Sequence, residues 1–187
     1  MRDITAIFNE IADKHRDYSA AWRLVQQNSR GKIWVVGGFV YRSLAAELYT
    51  TPPPRCDFDF LVEEREPVLR LPEGWEERRN SHGNPKLISN EYWIDLIPLP
   101  RQWYFVKHGI APSIEGFLEH TPLTIGSIAY DTVDRRILGE IGPKALYDKT
   151  VAVHDVEAAA YVAQLKAKTV EQLVQEKAES LGFRAVL

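Results

Sequence analysis

The chain is 187 residues long, with 45% apolar and 26% charged residues, a balance that supports a buried core and excludes a disordered chain. Its net charge of -3 excludes a protein that holds long nucleic acid by phosphate neutralisation over its whole surface, which needs an excess of Lys and Arg. The single cysteine, Cys56, excludes an internal disulfide, and the opening Met1-Arg2-Asp3-Ile4 has no signal-like apolar run. No stretch approaches the roughly 20 apolar residues of a membrane span, so a cytoplasmic protein with no membrane partner is expected.

Residues 3–28 open with Ile4, Ile7, Phe8 and Ile11 at helical spacing behind Asp3 as N-cap, and Trp22, Leu24 and Val25 continue the helix. Asn28-Ser29-Arg30-Gly31 ends it. Ile33-Trp34-Val35-Val36 is wholly apolar, the mark of a strand buried on both faces. After Gly37-Gly38, the segment from Phe39 to Tyr49 places Val40, Leu44 and Leu48 on one helical face, and Thr50-Thr51-Pro52-Pro53-Pro54 must be a loop. Asp57 to Val62 alternates as a strand does, whereas the polar stretch from Arg65 to His82 carries no clear period.

Pro85 to Ile88, a turn at Ser89-Asn90, and Glu91 to Pro98 predict a hairpin with Trp93, Asp95 and Ile97 on one side of its second strand. Gln102–His108 and Ser113–Glu119 are expected to be helical, and Leu123–Tyr130 and Arg136–Leu138 extended. Asp155 to Leu181 has the clearest helical pattern in the chain, ending at Gly182. Its Ala and Leu face suits packing on the rest of the chain or on a second copy, a homo-oligomer. The expected organisation is α/β (α+β), with a mixed sheet flanked by helices in residues 1–155 and a C-terminal helix in 156–187.

Three features carry chemistry, in order: Gly37-Gly38 after a buried strand, Asp57 and Asp59 on the next strand, and Asp95 on a later one. Strand residues two apart share a face, so Asp57 and Asp59 converge while Phe58 and Phe60 point into the core. Asp95, between Ile94 and Leu96, is likewise an acid in a strand that otherwise favours burial. Each close carboxylate pair costs about 1–4 kcal/mol at 4 Å, and a divalent cation reverses the sign. Oxygen-only ligands favour Mg2+ (or Mn2+) over zinc. The glycines let backbone approach a phosphate at a helix N-terminus, where Arg42 adds a charge and Ser43 a hydroxyl. A dinucleotide fold would need Gly-x-Gly-x-x-Gly, and Phe39 to Leu44 contains no glycine.

The stretch from Trp34 to Leu44, followed by Cys56-Asp57-Phe58-Asp59-Phe60, resembles the head domain of bacterial poly(A) polymerases and CCA-adding tRNA nucleotidyltransferases, members of the DNA polymerase β-like superfamily. The resemblance covers roughly residues 30 to 155 and includes two looser matches. Leu123 to Tyr130 is similar to the family's Asp-Phe-Thr-Ile-Asn-Ala segment, and Gly142 to Asp148 to its closing turn and helix. It implies that Asp57 and Asp59 bind metal, that Asp95 completes the site and helps activate an acceptor hydroxyl, and that an NTP is the donor. The family's Arg-Asp after Gly-Gly-x-Val is Tyr41-Arg42 here, its Arg-Arg-Asp is replaced by His120-Thr121-Pro122, and its Asn by Gly126. The gap from Gly38 to Asp57 is longer, and the family's neck and body domains are not expected within these 187 residues. The acceptor is therefore open among a small molecule, a protein and RNA. The alternative is a non-catalytic nucleotide- or partner-binding module that keeps the fold.

Other residues have ordinary readings. Cys56 is expected as a buried thiol at a strand start, the histidines lack zinc-ligand spacing, and Arg78-Arg79 and Arg135-Arg136 as solvated charge. Trp93, Trp103, Tyr104 and Phe105 are expected in the core rather than stacked on a base, and a triphosphate contact from His120 is the lesser reading.

Overall fold

Asp3 starts the first helix as its position predicts, its carboxylate accepting hydrogen bonds from the backbone N–H groups of Thr5 and Ala6. The expected single helix over 3–28 is two, α1 (Ile4–Lys14) and α2 (Arg16–Gln27). His15 breaks it by adopting an extended backbone and turning its ring Nδ1 to accept from the Tyr18 N–H at 3.2 Å, which caps α2. The break lets both helices reach one aromatic centre. Phe8 and Tyr18 lie 5.9 and 5.6 Å from the Phe39 ring.

The computed structural model describes residues 2–54 and 57–187; Cys56, and with it the expected buried thiol, lies outside the described residues. Strand β1 (Ser29–Val36) is longer than its apolar run, with an exposed first half that bulges between Arg30 and Ile33. Helix α3 (Gly37–Tyr49) follows without a connecting residue, and β2 (Asp57–Arg65) comes after the proline loop. The polar stretch left without a period contains β3 (Glu76–Arg79), an exposed edge strand made entirely of charged residues. It joins the expected hairpin of β4 (Pro85–Ile88) and β5 (Trp93–Pro98).

The two expected short helices form as α4 (Trp103–His108) and α5 (Ile114–Glu119). The extended stretch predicted over 123–130 is a 3-10 turn at Thr124–Gly126 before the short strand β6 (Ala129–Asp131), which pairs with β7 (Arg136–Leu138). Helix α6 (Ile141–Asp148) and β8 (Thr150–Ala152) come next. Seven strands form a mixed sheet in the order β3-β4-β5-β2-β1-β6-β7, in which β2 and β5 run parallel and every other neighbouring pair is antiparallel.

The single helix predicted over 155–181 is also two, α7 (Val156–Leu165) and α8 (Val170–Glu179). Ala167 takes a left-handed backbone (φ 50), and Thr169 restarts the helix in a reciprocal capping box with Gln172. Gly182 (φ 66) then turns the chain into β9 (Arg184–Val186), which pairs in parallel with β8.

The sheet is buried on both faces. Phe58, Phe60, Ile94 and Leu96 belong to the larger core with α1, α2 and α3, while Trp34, Val36 and Leu61 pack with Phe105 of α4 and Leu118 of α5. The second face carries the acids: along β2 its residues run Asp57, Asp59, Leu61.

Candidate active site

Gly37 and Gly38 begin α3 directly at the end of β1, and Val36, at the N-cap, offers no side chain to the first N–H groups. The two glycines serve different ends. Gly37 has φ +71, and a Cβ there would lie 2.3 Å from Asp59 Oδ2, so both backbone conformation and the carboxylate demand glycine. Gly38 has no such constraint: a Cβ would meet nothing closer than the Tyr41 hydroxyl at 3.8 Å and Arg42 Nε at 4.0 Å. Its missing side chain leaves open space at the helix N-terminus, while its N–H donates to Asp59.

The parallel pairing of β2 and β5 sets Asp59 directly beside Asp95, with Asp57 beside Trp93. The three predicted acids thus meet on one face. Burial, reinforced by Asp95 and Asp57, pushes the Asp59 carboxyl up to about 7, against the opposing pull of Lys86 and the Gly38 N–H. Burial raises Asp95 as well, despite Lys86 and a hydrogen bond from Asn80.

Asp57 Oδ1 and Asp95 Oδ1 are buried without a hydrogen-bond partner. Among the described residues no three His, Cys, Asp or Glu side chains form a ready-made metal cage. The two orphaned carboxylate oxygens are the donor chemistry of a magnesium-type ion, which is held by one or two carboxylates together with substrate phosphates and water. The donor set fits: the acids that carry the orphaned oxygens line the same cavity as a glycine turn with room for a phosphate.

Lys86 on β4 is a site residue that the sequence reading missed. It pairs across from Asp95, and its Nζ lies 3.9 Å from both Asp57 Oδ1 and Asp95 Oδ2, beyond hydrogen-bond reach. Its signal was present in the hairpin, where Lys86 alternates onto the acid face. The remaining predicted residues do not converge equally. Arg42 lines the cavity but donates to the backbone oxygen of Ser180 at 3.2 Å and to its hydroxyl at 2.9 Å. Ser43 is buried, its hydroxyl has no partner, and it is absent from the cavity lining, so the structure does not bring it to the triphosphate position expected of it.

The acids and glycines open on a cavity of about 1370 Å³. Of the aromatics expected in the core, Phe105 is buried, but Trp103 and Tyr104 line this cavity and Trp93 is 44% exposed beneath the Lys86 ammonium. Trp103 stacks on Tyr161 of α7 at 4.3 Å, and Tyr104 on His120 at 3.4 Å. The His120 ring bonds Asp155, the N-cap of α7, at 2.7 Å. Arg78 pairs with Glu76 and Arg135 with Asp13, both on the surface as solvated charge does, and the two contacts of Arg135 tie the β6–β7 turn to α1.

No family model and no curated protein matches the chain. Solved structures do. A CCA-adding enzyme in complex with CTP is 18% identical at a TM-score of 0.56, aligned over 95% of this chain and 46% of its own. The Bacillus stearothermophilus CCA-adding enzyme, also with CTP, is 16% identical over 91% of this chain and 41% of its own, with a TM-score of 0.57. The Thermotoga maritima CCA-adding enzyme complexed with tRNA is 15% identical over 95% and 46%, with a TM-score of 0.55. The chain therefore has the nucleotidyltransferase fold that the Gly-Gly and Asp-x-Asp resemblance implied, and it spans less than half the length of each of these structures.

Proposed function

We propose that this chain is a magnesium-dependent nucleotidyltransferase that moves a nucleoside monophosphate from an NTP to an acceptor hydroxyl. The observation that carries this reading is the meeting of Asp57, Asp59 and Asp95 on one sheet face beside an open glycine turn. A bound divalent ion would supply positive charge to the reacting phosphate oxygens. Asp57, Asp59 and Asp95 would hold it. The N-terminus of α3, uncapped by any side chain and open beside Gly38, would receive a phosphate oxygen on the remaining first-turn N–H groups. Asp95, beside Asp59 in the paired strands, would take the proton of the attacking hydroxyl. The acceptor oxygen bonds the α-phosphorus, the α–β bridging bond breaks, and its electron pair leaves with pyrophosphate.

The likeness to structures with bound CTP and tRNA supports an NTP donor and favours an RNA end among the acceptors, ahead of a small molecule or a protein. A second reading, a nucleotide-binding module without turnover, is favoured by Lys86, whose ammonium already sits between two of the acids. The deciding experiment measures pyrophosphate release from each NTP with Mg2+ or Mn2+, comparing wild type with an Asp57→Ala, Asp59→Ala double variant. Release that depends on metal and vanishes in the variant is expected. Metal-dependent NTP binding without release under any acceptor supports the module, and the absence of both refutes the reading.

A further inference from the structure

The acids account for part of the cavity lining and leave a second charged part unexplained. Lys166 just after α7, Lys168 in the following turn, Lys177 on α8 and Arg42 on α3 all line it, in a chain whose net charge is -3. Lys168 is paired with Glu176. Lys177 and Arg42 have neutral partners: Lys177 donates to the Tyr41 hydroxyl at 2.8 Å, and Arg42 to Ser180. Burial and then Lys177 and Lys168 lower the pKa of Lys166, and the opposing pull of Glu176 and Asp59 is too weak to cancel them. Glu176 pairs with only one of these cations, and a folded chain gains nothing by crowding the others into a partly dry cavity unless a further anion joins them.

Their position relative to the glycine turn is specific. The open space beside Gly38 is bordered by the Tyr41 hydroxyl, which holds Lys177, and by Arg42 Nε. The cavity brings acids on β2 and β5 together with cations that, Lys86 apart, come from α3 and the α7–α8 hairpin, and Asp59 lies within electrostatic reach of Lys166. A nucleoside triphosphate with its metal has the matching charges, with cation at one end of the phosphate chain and uncompensated negative oxygens at the other.

We infer that Lys166, Lys177 and Arg42 form a polyphosphate subsite, contributed largely by the C-terminal helical hairpin, which holds the β- and γ-phosphates while the α-phosphate faces the acids. The assignment of those phosphates rests on the transferase reading; the existence of the anion subsite does not. As the α–β bond breaks, the departing electron pair adds negative charge to pyrophosphate, and these cations are placed to stabilise it. The hairpin is then part of the active site rather than packing for the sheet.

The test titrates sodium tripolyphosphate calorimetrically in metal-free, low-salt buffer into wild type, a Lys166→Gln, Lys177→Gln variant and an Asp57→Asn, Asp59→Asn variant. Wild type should bind, the lysine variant should lose about tenfold or more, and the acid variant should bind as well or better. Lys177→Arg, which keeps the charge, should retain most of the affinity. If the double lysine variant fails to fold, Lys166→Gln against Lys166→Arg makes the same comparison. A folded lysine variant that binds tripolyphosphate and NTP like wild type overturns the subsite even if metal-dependent turnover is found. Loss of tripolyphosphate binding in that variant upholds it even if no NTP is ever turned over.

Discussion

Replacing Asp59 by Asn should stabilise the metal-free protein above neutral pH while removing its activity. The Asp59 carboxyl is raised from 3.8 to about 7, so between those values the folded chain holds a proton that the unfolded chain has released. Stability is then fully present below pH 3.8 and is lost as pH rises through about 7. At about 1.4 kcal/mol per pH unit the interval corresponds to an upper bound of about 4 kcal/mol lost by pH 8. Asn fills the same space, still accepts from the Gly38 N–H, and carries no charge to lose. Urea unfolding of both proteins in EDTA from pH 5 to 8 should give curves that diverge as pH rises, with wild type the weaker. Added Mg2+ should restore wild type at pH 8 and leave Asp59→Asn unchanged. Parallel pH curves would refute the claim that burial and neighbouring acids strain this carboxylate.

The two glycines should separate cleanly. Gly37→Ala, with φ +71 and a Cβ only 2.3 Å from Asp59 Oδ2, should cost about 1–2 kcal/mol for the backbone alone and abolish turnover by displacing the carboxylate. Gly38→Ala, with open space at its Cβ, should keep or slightly raise the melting temperature yet weaken NTP binding, as calorimetry will show. Lys86→Met removes a cation 3.9 Å from two acids, so metal-free stability should fall by about 1 kcal/mol and refolding should slow, both reversed by Mg2+ in stopped-flow and denaturant titrations. Thr169→Ala breaks the capping box of α8 and should cost about 1 kcal/mol in thermal unfolding, with a loss of tripolyphosphate affinity because α8 carries Lys177.

The acid site was legible because its parts follow short-range rules. An apolar run, a double glycine and an alternating Asp-Phe-Asp-Phe strand each reveal their conformation locally, and the β4–β5 hairpin announces which way Asp95 faces. What failed was breakage without breakers. His15 and Lys166 to Thr169 interrupt helices with no Gly or Pro to mark them; a histidine ring caps one break and an alanine in left-handed conformation makes the other. The Thr169–Gln172 capping box was readable in principle but lay inside an unbroken helical period. β3 stayed hidden because an exposed edge strand of four charged residues has no apolar alternation to show. The cationic part of the cavity lining shared the fate of the C-terminal break. On one straight helix, Lys166 and Lys177 would stand about three turns, roughly 16 Å, apart, and only the turn between α7 and α8 folds both onto the same cavity.

The register of the hairpin has a consequence for how the chain reaches this structure. Asp59 and Asp95 become neighbours only when β5 docks alongside β2, a non-local step that must bring negative groups together. The β4–β5 hairpin, by contrast, closes through a short turn, and such local closure precedes distant pairing by orders of magnitude in time. In that hairpin Lys86 already sits opposite Asp95. The incoming edge thus travels as a nearly neutral unit, and the barrier to docking is lowered by a residue whose own chain neighbours set it there. Lys86 thus belongs to the order of assembly: by its place in the hairpin it screens Asp95 as β5 approaches β2.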